Sequence, residues 1–484
     1  MNRLRLIATF ALFAAAAAGC AVGPKYRAPE RTLPPGWSEL QEEAAAARPP
    51  EIAAWWTAFN DPLLNSLVER AARSNLDLRR AAARVREARA RYGITAADRL
   101  PTLDASGSYT RSRSSENGPL AFSPTAGEEV NLYQAGFDAA WEIDLFGGVR
   151  RAVEAAEADI AASVEDRRSI QVTLLAEVAR NYIDLRRIQK QIATARANIE
   201  SQQETLELTR ARFNAGLNTG LDVARAEAQV ATSFSQIPAL EISLRQTIHR
   251  LGVLLGEEPG ALSAALSKPL PIPAPPAEVV VGLPSELLRR RPDIRRAERQ
   301  LAAATARIGV ATADLFPRFS LTGAFGLQSA TLRDLPEGGS RFFSIGPTLR
   351  WPIFAGGRIR ANIAVENARE EEAWAEYERT LLLSLEEVEN ALVAYAREQS
   401  RRESLREAVA ANRRAVEIGN ELFIRGLANF LDVLESERSL FASESQFDQS
   451  EAAVSANLVA LYKALGGGWE IADPHEPGDQ RTEN

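Results

Sequence analysis

Phe213-Asn-Ala-Gly216-Leu217-Asn-Thr-Gly-Leu221-Asp222-Val223-Ala-Arg225-Ala-Glu227 reads as a helix end, a glycine turn and a new helix. The same sentence returns 210 residues later as Phe423-Ile-Arg-Gly426-Leu427-Ala-Asn-Phe-Leu431-Asp432-Val433-Leu-Glu435-Ser-Glu437, with seven identities. Upstream, Asp77, Arg79, Arg80, Ala81, Arg91, Gly93, Asp98, Pro101 and Gly107 match Asp293, Arg295, Arg296, Ala297, Arg307, Gly309, Asp314, Pro317 and Gly323 at an offset of 216. Trp141 matches Trp351 at 210 again, so the stretch between Gly107 and Trp141 is six residues longer than its twin. Loops absorb such insertions cheaply. The unit is too long for a solenoid repeat, so the chain is read as two pseudo-equivalent halves, 62–256 and 285–468.

Each half switches period. In Leu103-Asp-Ala-Ser-Gly-Ser-Tyr109 apolar or small residues alternate with polar ones, the signature of a strand with one wet and one dry face. Strands are expected at about 102–112 and 130–143 in the first half and at about 318–328 and 342–353 in the second. Their length of roughly ten residues suits a tilted strand crossing a bilayer, and aromatic residues gather toward the strand ends. Taken alone, the four strands fit two hairpins of a soluble sheet equally well.

The helical stretches shift that balance. No proline or glycine interrupts 149–213, and at ~1.5 Å per residue that is a rod of roughly 100 Å. Val178, Leu185, Ile192, Ile199, Leu206 and Phe213 fall at seven-residue intervals, as coiled-coil packing requires, and Val388, Tyr395, Val409, Val416 and Phe423 keep that register in the second half. Gly216 and Gly426 supply the left-handed cap of each helical hairpin. Return helices at about 221–256 and 431–465 are half as long, so the helices at about 62–98 and 285–315 are expected to complete them. Pro238 should kink the first return helix.

Residues 1–19 read as a signal peptide, with Arg3 and Arg5 before an apolar core. Cys20 is the sole cysteine, so no intramolecular disulfide exists and a lipid on its sulfur accounts for a thiol in an oxidising compartment. Residues 20–61 would then be a lipidated N-terminal segment, 257–284 a Pro-rich connection girdling the helices, and 469–484 a polar tail. The formal charge is −7, and basic residues alternate with acids along helix faces, which is a solvated coiled-coil surface and not a nucleic-acid footprint. Arg289-Arg290-Arg291 is the one basic run and, beside Pro292, reads as structural. No catalytic, cofactor or metal pattern is found: the two histidines, His249 and His475, lack partners at ligand spacing, and Glu386, Glu387 and Glu389 read as a solvated stripe. An enzyme is not expected.

Val22-Gly23-Pro24-Lys25-Tyr26, Trp141-Glu-Ile-Asp-Leu-Phe146-Gly, Trp351-Pro-Ile-Phe354-Ala-Gly-Gly357 and Leu461-Tyr-Lys-Ala-Leu-Gly-Gly-Gly468-Trp469 together resemble the TolC-type outer membrane efflux factors. The branch resembled is the lipoprotein one that serves tripartite RND drug pumps. The resemblance implies a membrane α+β homotrimer: a twelve-stranded outer-membrane β-barrel, four strands per subunit, continued by a long periplasmic α-helical coiled-coil barrel. Independently, four strands leave two open edges in lipid, whereas a membrane barrel needs at least about eight. The implied role is a passive exit duct, with an inner-membrane pump and a periplasmic adaptor as partners and outer membrane lipid as solvent. Gly216, Leu217, Gly426 and Leu427 would be the hairpin tips that meet the adaptor. Leu431 and Glu435 match the family's apolar and acidic constriction rings, with Leu221 and Arg225 at the pseudo-equivalent positions, so an Arg225–Glu435 pair is one device that would hold the gate closed. Plain coiled-coil packing at Leu221 and Leu431 with surface charges fits the same residues. A periplasmic coiled-coil adaptor lipoprotein, a type I protein secretion channel and a soluble enzyme with a helical cap are the rival readings.

Overall fold

The structure is a computed structural model, and it describes residues 21–31, 33–38, 52–118, 127–276 and 284–470. In chain order the elements are α1 (Pro62–Ser74), α2 (Leu76–Ala97), β1 (Thr102–Arg113), β2 (Glu129–Ile143), α3 (Gly148–Asn214) and α4 (Gly220–Leu254). There follow α5 (Ser263–Leu266), α6 (Leu287–Arg290), α7 (Pro292–Ala313), β3 (Arg318–Ser329), β4 (Arg341–Arg350), α8 (Arg358–Ile424) and α9 (Phe430–Ala464). They form two compact units, one of residues up to 30, 85–163 and 297–377, the other of 31–84, 164–296 and 378 onward.

The first unit holds one antiparallel sheet in the order β1-β2-β3-β4. Its register joins the dry faces row by row: Leu103 lies beside Ala139, Gly323 and Ile345, and Ala105 beside Phe137, Phe325 and Phe343. Leu103, Phe137, Phe325, Phe343 and Ile345 are all exposed. A sheet that turns its apolar face outward matches hydrocarbon rather than water. The other face carries Asp104 opposite Asp138, with Ser106 donating to Asp138 at 2.8 Å, and Gln134 opposite Gln328. β4 stops at Arg350, paired with Arg318, three residues short of the expected end. The next rung would meet Pro317, and the strand itself runs into Pro352; neither has an N–H to give.

Two indoles mark the helix-to-strand joints. Trp141 donates from Nε1 to the carbonyl of Arg99 at 3.0 Å, and its pseudo-equivalent Trp351 donates to that of Leu315 at 3.1 Å. Phe146 and Phe316 stack at 4.6 Å near the same level, while Tyr109 and Tyr133 pair at 4.7 Å toward the far end of the strands. The N-terminal segment is tied here too: Val22 N–H donates to the carbonyl of Phe146 at 3.1 Å, and Arg151 donates to the carbonyls of Val22 and Gly23. Gly23 has φ +88, and a Cβ on it would sit 2.5 Å from Gly309 Cα, so this position requires glycine; a Cβ on Gly309 would sit 2.8 Å from Arg151 Cγ. Tyr26 donates to Glu298 at 3.0 Å.

In the second unit the long helices pack as the heptad series predicts over most of its length. Val178, Leu185, Ile192, Ile199 and Leu206 are buried, as are Val388, Val416 and Phe423, but Phe213 is 47% exposed. The helices expected at 62–98 and 285–315 are each broken, at Asn75 and Arg291. Asn75 Oδ1 accepts from the N–H groups of Asp77 and Leu78, starting a new helix, while its Nδ2 donates to the carbonyl of Leu254 at 2.8 Å. The equivalent Arg291 donates to the carbonyl of Ala464 at 2.8 Å and bonds Asp293 and Glu387, and Pro292 opens α7 at its first turn. Each half thus spends a polar side chain on the free carbonyls at the end of its return helix. α4 continues through Pro238, which is exposed, so the carbonyl it strands is open to water. Leu262, Leu266 and Ile272 of the Pro-rich connection are buried. Trp55 is buried and stacks on Tyr462 at 5.6 Å, and Gly467 packs so tightly on Ile52 that a Cβ would lie 2.6 Å from its carbonyl oxygen. No helix among the described residues is long and apolar enough to cross a membrane.

Candidate functional site

Both hairpins turn by the same chemistry. At the first tip Gly216 has φ +73, its N–H donates to Phe213, and the Leu217 N–H reaches back to the carbonyl of Arg212 at 2.9 Å. At the second Gly426 has φ +76, with Leu427 donating to Leu422 at 2.8 Å. This pattern caps the last carbonyls of a helix and needs the left-handed residue that glycine supplies. Thr219 with Asp222, and Asn429 with Asp432, form capping boxes that start the return helices. Leu217 and Leu427 stand 66% and 72% exposed at the tips, two apolar side chains open to solvent.

Beneath the tips lies a small core of Leu206, Ala226, Val230, Phe423, Phe430, Val433 and Leu434. The ring of Phe423 sits 6.2 Å from that of Phe430. The first hairpin has Gly220 where the second has Phe430, and Phe213 lies over that glycine, 3.7 Å from where a Cβ would be. The duplication therefore differs at its point of action: one hairpin buries its aromatic residue and the other leaves it in the open.

Leu221 and Leu431 are both exposed, and so is Glu435, while Arg225 is half-buried. Arg225 and Glu435 form no ion pair with each other in the chain. The two hairpins are tied by other groups. Arg212 donates to the carbonyls of Phe423 at 2.9 Å and Ile424 at 3.3 Å, and its guanidinium lies 4.6 Å over the Phe423 ring. Arg438 donates to Gln229 at 2.8 Å between α9 and α4. Arg212 shows in the sequence only as a base in the last turn of a helix, where a carbonyl partner is plausible but its address is not.

Along α3 and α9 a polar seam climbs from the tips. Thr205 donates to Glu437 at 2.6 Å, Asn198 to Glu444 at 3.0 Å, Thr194 to Asp448 at 2.8 Å, and Lys190 binds Asp448 at 3.2 Å and Glu451. Glu437 is 6% exposed, and burial pushes its carboxyl above the usual range, against the lowering effect of Thr205. Burial likewise raises Asp448, with Thr194 and Lys190 opposing. No group of three or more metal-ligating side chains exists among the described residues. Cys20 and His475 lie outside the described residues.

The sequence matches a model of the outer membrane efflux protein family over residues 67–257 and 283–467. It is 34% identical over 465 residues to Nodulation protein T of Rhizobium leguminosarum bv. trifolii, covering 95% of this chain and 97% of that one. It is 33% identical over 467 residues to the toluene efflux pump outer membrane protein TtgF of Pseudomonas putida, covering 94% and 95%. Among solved structures the outer-membrane channel OprN superposes with a TM-score of 0.88 at 38% identity, over 93% of this chain and 100% of that one.

Proposed function

The chain belongs to the outer membrane efflux protein family and is an efflux channel of the outer membrane; from that premise we propose that three copies close into a passive exit duct. In this reading a pump in the inner membrane and an adaptor in the periplasm supply energy and cargo, and the duct supplies only a sealed path. The observation that carries it is the four-stranded sheet with an exposed apolar face and two unpaired edges, β1 and β4. An open edge in lipid leaves main-chain groups without partners, and pairing β4 of one copy with β1 of the next removes it. A coiled-coil adaptor has no use for such a sheet. The polar face then lines the lumen, where Glu142 is paired with Arg318 and the facing carboxylates of Asp104 and Asp138 favour cations.

The hairpin tips are read as the periplasmic mouth, with Leu217 and Leu427 offered to the adaptor. Leu431 and Glu435, exposed on one side of α9, form the apolar and acidic rings of the closed gate, and Arg212 braces them. Cys20 is read as the lipid attachment site; its neighbours Ala21 and Val22 are held at the joint beneath the sheet, where an acyl chain has a short path into the membrane.

The test is reconstitution. Detergent-purified protein added to planar bilayers is expected to give discrete, cation-selective events of low conductance. A protein that produces no channels, or remains soluble without detergent once its N-terminal segment is removed, would overturn the reading.

A further inference from the structure

The polar seam between α3 and α9 keeps one register. Its pairs Thr205–Glu437, Asn198–Glu444 and Thr194–Asp448 step by seven residues and then by four on both helices, in opposite directions, as antiparallel helices in fixed alignment require. Such spacings return to one helix face, so this line of contact is polar for about three turns. Three of its four acids have a cation: Arg413 of α8 binds Glu444 at 2.7 Å, and Lys190 binds Asp448 and Glu451. Glu437, the acid nearest the tips, forms no ion pair among the described residues, and its bond is to the Thr205 hydroxyl. The charged groups around it are turned elsewhere. Arg438 donates to Gln229 of α4, Arg210 of α3 pairs with Glu227 of α4, and Arg413 is held by Glu444. Glu204 and Glu207 of α3, Arg414 and Glu417 of α8 and Glu435 of α9 are exposed. One turn along the same face of α3, Gln202 is buried like Glu437, and its Oε1 accepts from no described residue.

We propose that the seam is a proton-operated latch between the two hairpins, closed while Glu437 is neutral and released when it is charged. The proposal rests on the duct reading above and names what regulates its mouth. A neutral carboxyl brings an O–H donor to a stretch of interface that has an acceptor to spare. An ionised carboxyl only accepts, and with one hydroxyl to answer it the buried charge gains by reaching water. Burial accordingly holds the Glu437 carboxyl above the usual range, and a parted seam would return it there. Low pH therefore favours the closed seam, and that preference is lost as pH rises through the raised value. With one proton exchanged per copy, the ratio of parted to closed seams changes at most about tenfold per pH unit. The cation-paired contacts farther along the seam stay in place, so release frees its tip-ward end. There Glu437 lies two residues from Glu435 on the same helix.

The test compares full-length parent, Glu437→Gln and Thr205→Val in planar bilayers at fixed salt, between about pH 4 and pH 8, which spans a carboxyl above its usual range. The parent is expected to spend more time at higher conductance as pH rises. Glu437→Gln cannot ionise and should keep the parent's low-pH behaviour at the upper end. Thr205→Val removes the donor that favours the charged form, so its rise should move to higher pH. A merely structural loss at Thr205 would instead loosen the seam at every pH. A second readout needs no current. In a Cys20→Ala background, Thr209→Cys, fully buried one turn from Thr205, should be shielded from a maleimide at low pH and labelled as pH rises, with an exposed Leu217→Cys correcting for thiol ionisation. Adding Glu437→Gln should keep it shielded. A parent that forms no channels overturns the duct reading, and the labelling still decides the latch. Conductance or labelling that follows pH alike in the parent and Glu437→Gln, or a rise that moves to lower pH in Thr205→Val, overturns the latch.

Discussion

Arg212 of the first hairpin binds the second at its carbonyl and its ring at once, donating to Phe423 O at 2.9 Å while its guanidinium lies 4.6 Å above the Phe423 side chain. Hydrogen bonds from a charged donor contribute about 1.5–3 kcal/mol, and a half-exposed cation over an aromatic face adds ~0.5–1 kcal/mol. One side chain thus adds two contacts between the tips to the apolar core and the Arg438–Gln229 bond that they share. Arg212→Ala is expected to raise single-channel conductance and the uptake of a large antibiotic normally excluded by the outer membrane. Arg212→Lys, which keeps charge but not the planar fork, should fall between. Unchanged conductance in both variants would show that the tips are held elsewhere.

The exposed pair Leu431 and Glu435 gives a second prediction. Leu431→Ser should admit water at the constriction and raise conductance in planar bilayers, while Glu435→Gln should weaken cation preference and leave the number of copies unchanged. Asp104→Asn with Asp138→Asn should also weaken that preference without raising conductance, because those carboxylates face each other on the sheet and not at the tips. Constriction variants that conduct and select ions as the parent does would assign Leu431 and Glu435 to ordinary helix packing.

The buried Glu437 predicts a dependence on pH. Its carboxyl titrates above the usual range because burial disfavours the charge, so the folded chain holds that proton more tightly than the unfolded chain does. Stability from this group is therefore present at low pH and is lost as pH rises through the raised value. Glu437→Gln keeps an acceptor for Thr205 and carries no charge. Thermal unfolding should find the variant more stable than the parent at pH 7 to 8, with the gap closing as pH falls into the ordinary carboxylate range. A gap independent of pH would mean that the carboxyl titrates alike in the folded and unfolded chains.

The lipid prediction is direct. Cys20→Ala should abolish fatty-acid labelling while heat-modifiable trimer persists in membranes, since the sheet supplies most of the membrane affinity. Labelling that survives the substitution would place the acyl group elsewhere.

Much of this was legible in the sequence because duplication reports on architecture. The fixed offsets around Gly216 and Gly426 gave both hairpins, and period-two alternation around Leu103 and Phe319 gave the strands to within a few residues. What escaped was whatever depends on which helix lies across the way. Phe213 and Phe423 are identical letters in equivalent positions, yet their exposure differs because the position opposite is Gly220 in one half and Phe430 in the other. Asn75 and Arg291 interrupt helices that read as continuous, since their partners are carbonyls at the ends of α4 and α9, about 180 and 173 residues away. The seam from Thr205 to Lys190 is invisible for the same reason: each polar residue looks solvated until the acid facing it is known.

The two indoles at the strand bases bear on where such a chain can live. Trp141 and Trp351 already spend their N–H groups on the main-chain carbonyls of Arg99 and Leu315, so neither asks a phosphate or sugar headgroup to accept a hydrogen bond. Their rings still favour the interfacial depth, but the chemistry of that interface is left unspecified. At the helix-side end of the sheet, then, ring burial and not headgroup hydrogen bonding sets the depth at which these two side chains sit.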